Sequence, residues 1–350
     1  MSLNRAPVTA TKPLRILARV DADGNTGAGH AVRVKAIVRT FGLNTELLIF
    51  GEGKELGKIF PQTEIRCPGA NQSTQIADAA ARFEPDLILC DLPAPGKDLR
   101  HHLDGETDVP FIVIDDFGGD YRASGVVNGT VLPAYHKYPG LRDDALRLCG
   151  GEYALLRRSF GETRPTGNRL RTIGIVVGSG ERAASWAEFL TSGAVDFADS
   201  GAVGMVVGWA FPDPDTLSER CAQKGISFAQ GLSEEQLASF LASSELALVT
   251  GGMISYESLA VGTPTIIFPN MQNLIAEAEW FAANSCAVNL GEDGGFDAAY
   301  LRNVIASLKA DPQARTRLSR NGHRAIDGRG VSRVCTRLRD HFKLSENSVS

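Results

Sequence analysis

The chain has 350 residues, and its 36 Lys+Arg against 41 Asp+Glu give a formal charge of −5. That length suits about two domains, and 22% charged residues with 43% AVILMFWYC is an ordinary globular composition. The mild acidity excludes a general footing for nucleic acid or an anionic membrane, both of which want basic patches, and no apolar run approaches the roughly 20 residues that span a bilayer.

The opening stretch Met1–Lys12 is polar, and residues 1–12 are expected to form a disordered leader rather than a signal peptide. Apolar runs bounded by turn residues then alternate with helical periodicity. Strands are predicted at Arg15–Val20, Glu46–Phe50, Asp86–Cys90, Phe111–Ile114 and Gly125–Val127. Between them, Val34, Ile37, Val38 and Phe41 repeat at i, i+3, i+4 and i+7 in a predicted helix Ala31–Phe41. A second helix, Thr74–Phe83, follows Ser73, a good N-cap residue. This first domain is set at residues 13–160. A polar stretch with Pro165 and Gly167 reads as a linker over 161–170. The alternation restarts at Arg171–Val177, Ala202–Val207, Ile226–Ala229, Leu246–Val249, Thr265–Phe268 and Ala287–Leu290, setting a second domain at 171–345. Its last helical stretch, Pro312–Phe342, is expected to pack back across the cleft between the domains.

Near-continuous apolar strands separated by helices mean parallel sheets covered on both faces. Two such units in tandem make an α/β protein of two doubly wound, Rossmann-like domains facing each other across a cleft, with ligands outside the carboxyl ends of the strands. Six cysteines are scattered singly, with no CxxC pair, so neither a zinc knuckle nor a redox dithiol is indicated. Cys67 and Cys90 adjoin apolar runs as small buried hydrophobes do, and a reducing, cytoplasmic location is expected.

The first strand leads into Asp21-Ala22-Asp23-Gly24-Asn25-Thr26-Gly27-Ala28-Gly29-His30 and then a helix. Gly24, Gly27 and Gly29 allow a tight turn and close backbone approach. The helix start offers free N–H groups and a positive dipole end, suited to phosphate or developing negative charge. His30 sits at that start as a candidate acid–base group. The same residues also suit a plain glycine-rich turn with a capping histidine.

In the second half, the strand ending at Val177 runs into Gly178-Ser179-Gly180-Glu181. Further on, a strand ending at Val249 passes through Gly251 and Gly252 into a helix carrying Met253, Ser255 and Glu257. Glu257 suits the helix dipole and could accept both hydroxyls of a ribose; a helix-stabilising surface glutamate is the plainer alternative. The polar turn after Phe268 contains Gln272 and Asn273. Asp115-Asp116 and Asp91 end strands at the expected cleft edge, where they could bind substrate hydroxyls or amides or simply build turns. His101-His102 lies in a charged helical stretch and is expected to be solvated, and His136, His323 and His341 have no partners at ligand or triad spacing. GxSxG, HExxH and GxxxxGK[ST] are all missing, so a serine hydrolase, a zinc peptidase and a P-loop NTPase lose their usual signals.

Taken together, Arg15–Asp21 with Gly27-Ala28-Gly29-His30 and Arg33 resembles the opening of the PseG/SpsG proteins. These are UDP-sugar hydrolases of pseudaminic acid biosynthesis and their spore-coat polysaccharide relatives. The resemblance continues at Phe111–Asp116, at Tyr153-Ala154-Leu155-Leu156-Arg157-Arg158-Ser159-Phe160, at Gly251–Gly262 and at Asp327-Gly328-Arg329-Gly330. The glycine-rich helix start with Glu257 is shared with MurG-type glycosyltransferases.

The resemblance implies a GT-B-like pair of Rossmann domains, and no cofactor or metal is expected if helix dipoles and glycine-loop amides stabilise the departing diphosphate. It implies hydrolysis of UDP-2,4-diacetamido-2,4,6-trideoxy-β-L-altropyranose to UDP and free sugar, with His30 as the key catalytic residue. Asp23, Gly27, Gly29, Arg33, Asp91, Asp115, Asp116 and Tyr153 are the candidate sugar-side residues. Gly178, Ser179, Gly180, Gly251, Gly252, Met253, Ser255, Glu257, Gln272 and Asn273 are the candidate UDP-side residues. The chain departs from the family pattern at Leu92, where a His-Tyr pair is expected after the strand-end Asp, and at Leu274, which follows Gln272-Asn273. These departures keep three readings open: a UDP-sugar hydrolase, a GT-B glycosyltransferase using a UDP-sugar donor, and a non-catalytic nucleotide-sugar-binding relative.

Overall fold

The computed structural model describes residues 12–22, 28–93, 99, 107–165, 167, 169–178, 181–193, 195, 197, 200–269, 272–291 and 298–344. The apolar runs become parallel strands, since a strand buried on both faces has no polar side to show. One sheet contains β1 (Leu14–Val20), β2 (Thr45–Phe50), β3 (Glu64–Arg66), β4 (Leu87–Asp91), β5 (Phe111–Ile114), β6 (Gly125–Asn128) and β7 (Leu146–Cys149). Its order is β3-β2-β1-β4-β5-β6-β7, with every pairing parallel.

Leu17, Ile88, Cys90 and Val113 line one face of this sheet and pack with Ile76, Ala79 and Ala80 of the helix Gln72–Phe83. That helix starts earlier than its sequence suggests: Asn71 holds the N-cap position, and Ser73 is buried inside the first turn. The helix Gly29–Phe41 buries Ala31, Arg33, Val34, Ile37 and Phe41. Leu92 joins the apolar core. Cys67, just past the short edge strand β3, is exposed rather than buried.

The second sheet contains β8 (Arg171–Val177), β9 (Val203–Val207), β10 (Ile226–Gln230), β11 (Ser244–Thr250), β12 (Thr265–Phe268) and β13 (Ala287–Asn289). Its order is β10-β9-β8-β11-β12-β13, again wholly parallel. Side chains alternate across it, as pleating demands. Ile173, Ile175 and Val177 meet Trp186 and Leu190 of the helix Glu181–Thr191, and Val176, Val249 and Ile267 meet Leu259 and Phe281 on the other face. In both sheets the strand order reverses once, between β1 and β4 and between β8 and β11. Those reversals are the switch points outside which doubly wound folds bind ligands.

The chain divides into two compact units. The first comprises the chain through Asn128, Ala134–Cys149 and everything from Val331; the second comprises Gly129–Pro133 and Gly150–Gly330. This differs from the sequence-read boundaries at 160 and 345. Residues 150–160 lie in the second unit because Ala154, Leu156 and Phe160 are buried in its core beside Leu259 and Phe281. The close passage there requires glycine: a Cβ on Gly129 would stand 2.6 Å from the Ala154 Cα, and one on Gly328 (φ +72°) would stand 2.5 Å from the Gly161 Cα. Much of the Tyr-Ala-Leu-Leu-Arg and Asp-Gly-Arg-Gly resemblance is therefore packing.

The expected last helical stretch is two helices, Pro312–Ala325 and Gly330–Phe342. The latter belongs to the first unit from Val331 onward. It buries Val331, Val334, Cys335 and Leu338, an i, i+3, i+4, i+7 stripe. Arg339 Nη2 donates to the Phe41 carbonyl at 2.9 Å, with its guanidinium 5.0 Å from the Phe41 ring centroid. Among the described residues, no helix is long and apolar enough to cross a membrane.

Candidate active site

At the first switch point, β1 ends at Val20, β4 ends at Asp91, and the helix Gly29–Phe41 brings His30 and Arg33 to the same place. His30 and Arg33 are three residues apart and so share a helix face. Asp91 is wholly buried and accepts from both. His30 Nδ1 lies 2.6 Å from Asp91 Oδ1, Arg33 Nη2 donates to the same oxygen at 2.7 Å, and Arg33 Nε donates to Oδ2 at 3.0 Å. Arg33 Nη1 reaches on to Asp116 Oδ1 at 2.6 Å.

Burial alone would push the Asp91 carboxyl up, but Arg33 and His30 outweigh it and hold the group below the usual carboxylate range. Asp91 is therefore an ionised acceptor, and His30 Nδ1 carries the proton between them. Arg33 Nη2 stands 2.9 Å from that nitrogen because both donors converge on Oδ1. With Nδ1 committed, Nε2 of neutral His30 is left as the acceptor. This is the orientation that a buried carboxylate imposes on a catalytic histidine. Burial likewise works against the Arg33 charge, yet Asp91 and then Asp116 hold its pKa above the ordinary guanidinium value. The helix start beside this cluster has no side-chain cap and no acidic residue in its first turn. A Cβ at Gly29 would meet nothing within 4 Å, so packing does not explain that glycine.

Asp115 and Asp116 go separate ways. Asp115, offered by the sequence as a substrate ligand, is buried and already engaged. Its Oδ2 accepts from the Tyr138 hydroxyl at 2.8 Å and from the amides of Phe117 and Gly118, and its Oδ1 accepts from the Tyr121 hydroxyl at 3.0 Å. Burial and this carboxylate push the Tyr138 hydroxyl pKa upward. Asp115 thus holds the loop after β5, and Asp116 alone of the pair reaches Arg33. Asp115→Ala is expected to cost about 3 kcal/mol of stability by orphaning buried donors. Urea unfolding checks this, and a loss under about 1 kcal/mol would overturn the structural role. Tyr153 belongs to the second unit, and the His30 cluster to the first.

At the second switch point, Gly178 follows β8, while Gly251 and Gly252 follow β11 and open the helix Met253–Val261. Gly252 has φ +82°, the region that favours glycine. Leu274 packs on the turn, and a Cβ on Gly251 would stand 2.8 Å from the Leu274 Cβ. The helix ends at left-handed Gly262, and Ser255 through Val261 are all buried. The Ser255 hydroxyl donates back to the Gly252 carbonyl at 2.7 Å. Met253 is exposed at the helix start.

Glu257 is buried, and Arg157 donates to its Oε1 from Nη2 at 2.7 Å and from Nε at 3.2 Å. Burial pushes the Glu257 carboxyl up; Arg157 pulls it back, and nearby Glu234 adds to the rise. Glu257 is thus no helix-stabilising surface glutamate. Arg157 is the functional candidate that sequence reasoning misses, although it ends the Tyr-Ala-Leu-Leu-Arg segment. Gln272 and Asn273 begin the helix Gln272–Ala283. Asp23, Gly27, Ser179 and Gly180 lie outside the described residues. Among the described residues, no three His, Cys, Asp or Glu side chains are grouped to hold a metal ion.

No protein-family model matches the chain. It is 22% identical over 335 residues to the spore coat polysaccharide biosynthesis protein SpsG of Bacillus subtilis (strain 168), covering 92% of this chain and 97% of that one. Among solved structures, MurG of Acinetobacter baumannii superposes with a TM-score of 0.64 at 9% identity, over 94% of this chain and all of that one. A UDP-GlcNAc 2-epimerase from Neisseria meningitidis, bound to UDP-GlcNAc, superposes with a TM-score of 0.57 at 10% identity, over 93% of this chain and all of that one. At such identities the superpositions speak for the fold alone. Motifs, sequence similarity and fold lead to one description: an SpsG/PseG-like protein with the two-Rossmann-domain GT-B fold.

Proposed function

We propose that the protein hydrolyses a UDP-linked amino sugar at its anomeric carbon, releasing UDP and free sugar for nonulosonic acid or surface-polysaccharide biosynthesis. The observation that carries this reading is the His30–Asp91 pair at 2.6 Å, with Asp91 further held by Arg33. His30 Nε2 takes a proton from water as the water oxygen bonds to the anomeric carbon. The bond from that carbon to the diphosphate oxygen breaks, and UDP departs with the electron pair. In this reading the uncapped start of the helix Gly29–Phe41 and the Gly251-Gly252 turn offer amides to phosphate or developing negative charge. Asp116 and Arg33 would bind the sugar's polar groups, and Glu257 the ribose. The names of the similar proteins support the substrate class: SpsG is a polysaccharide biosynthesis protein, and the N. meningitidis epimerase holds UDP-GlcNAc. The cysteines are all free, which suits a cytoplasmic setting.

The test is UDP release from the diacetamido-trideoxy-altrose donor without acceptor. Release would support hydrolysis. Release only after a sugar or lipid acceptor is added would replace it with glycosyl transfer on the same scaffold. Tight UDP binding without either would leave a nucleotide-sugar-binding protein.

A further inference from the structure

Glu257 and Arg157 are 100 residues apart in sequence and form an ion pair of unusual shape. An arginine fork commonly spans both oxygens of a carboxylate. Here Nη2 and Nε both converge on Oε1. No described residue donates to Oε2. The Glu257 side chain is 8% exposed.

Both partners are anchored. The Arg157 guanidinium lies 4.8 Å from the centroid of the Phe160 ring, itself fully buried, which holds a planar cation in place. Glu257 sits on a helix whose residues from Ser255 to Val261 are all buried, directly after a turn that requires glycine. The neighbouring carboxylate, Glu234, is occupied by the Ser159 hydroxyl at 2.8 Å and the Ser159 amide at 3.3 Å.

We propose that Arg157 is a positioning residue for recognition of the nucleotide ribose: it clamps Oε1 of Glu257 and thereby aims Oε2 at the vicinal hydroxyls. The proposal rests on the reading of the second switch point as the UDP site. The chemistry is direct. A buried carboxyl without a cation tends to stay protonated and would then offer a donor where ribose hydroxyls need an acceptor. With the charge satisfied on one oxygen only, the other keeps its lone pairs and a fixed direction.

Calorimetry with UDP and with 2′,3′-dideoxy-UDP, on the full chain, tests this. Wild type should prefer UDP by about tenfold or more, the worth of a hydrogen bond to a charged group. Glu257→Gln should lose the preference, and Arg157→Gln should lose it equally, weakening UDP while leaving the dideoxy ligand's affinity unchanged. Equal weakening of both ligands by Arg157→Gln, or a preference kept at the wild-type level, would overturn the proposal. So would a wild type that binds both ligands equally. Absence of any UDP binding by wild type would instead overturn the nucleotide-site reading beneath it. Should Arg157→Gln fail to fold by circular dichroism, Arg157→Lys decides. A point charge that cannot place two donors on one oxygen should cut the preference about threefold or more, and an unchanged preference sinks the idea.

Discussion

Replacing His30 by alanine is expected to slow UDP release from the sugar donor about 10²- to 10⁴-fold, the usual contribution of one positioned acid–base group. Affinity for UDP should be unchanged, since the substitution keeps the backbone amides of the helix start and the candidate UDP-side side chains belong to the other compact unit. The size of the effect follows from geometry. His30 Nδ1 is bound to an ionised, fully buried Asp91, so Nε2 is the only ring nitrogen free to accept a proton. Alanine removes that acceptor and leaves water at its ordinary basicity. Release assays paired with UDP calorimetry separate the two quantities. A variant that keeps wild-type turnover would end the acid–base assignment, and one that loses UDP affinity in proportion would recast His30 as a binding residue.

Asp91→Asn is expected to destabilise the protein by about 3 kcal/mol at neutral pH, the lower end for breaking a buried ion pair. The amide keeps one neutral acceptor and turns the other oxygen into a donor, so Asp116 is left as the carboxylate partner of Arg33 and His30 loses the charge on its partner. The pH dependence has a definite sign. Asp91 is held below the usual carboxylate range in the native state, with Arg33 and His30 overcoming the effect of burial. The unfolded chain therefore binds the proton more tightly, with a pKa of about 3.9. The contribution of Asp91 is fully present above that value and is lost as pH falls through the lower native one. Urea unfolding of wild type and Asp91→Asn at about pH 7, 5 and 3 should show a constant gap at the first two and a narrowing gap at the third. A gap independent of pH would mean that shape rather than charge makes Asp91 matter.

The buried strands are legible because their residues leave no choice: Leu14–Val20 and Arg171–Val177 carry apolar side chains for both faces of a parallel sheet. β3 and β7 are not, and the reason is position. They are the two edges of the first sheet, and Glu64–Arg66 and Leu146–Cys149 are short, with exposed charges. His30 can be found from its place after a glycine-rich βα turn, and Arg33 only from the family resemblance, although it stands on a helix face otherwise filled by Val34, Ile37 and Phe41. Their partners lie 58 to 83 residues onward, and the pairing of β4 with β1 on one side and with β5 on the other brings them together. Asp115 and Asp116 read alike as neighbours in sequence, yet one goes to the tyrosines and the other to Arg33.

The helix Gly330–Phe342 closes the first unit, which is otherwise complete by Cys149. During synthesis, Ile37 and Phe41 therefore wait for Cys335 and Arg339, almost 300 residues behind them, and the second unit leaves the ribosome whole before they arrive. The vectorial order of birth is inverted here: the unit that starts first finishes last. A stop codon or a protease cut just after the second unit would remove little mass, yet it would uncover one flank of the very helix that carries His30.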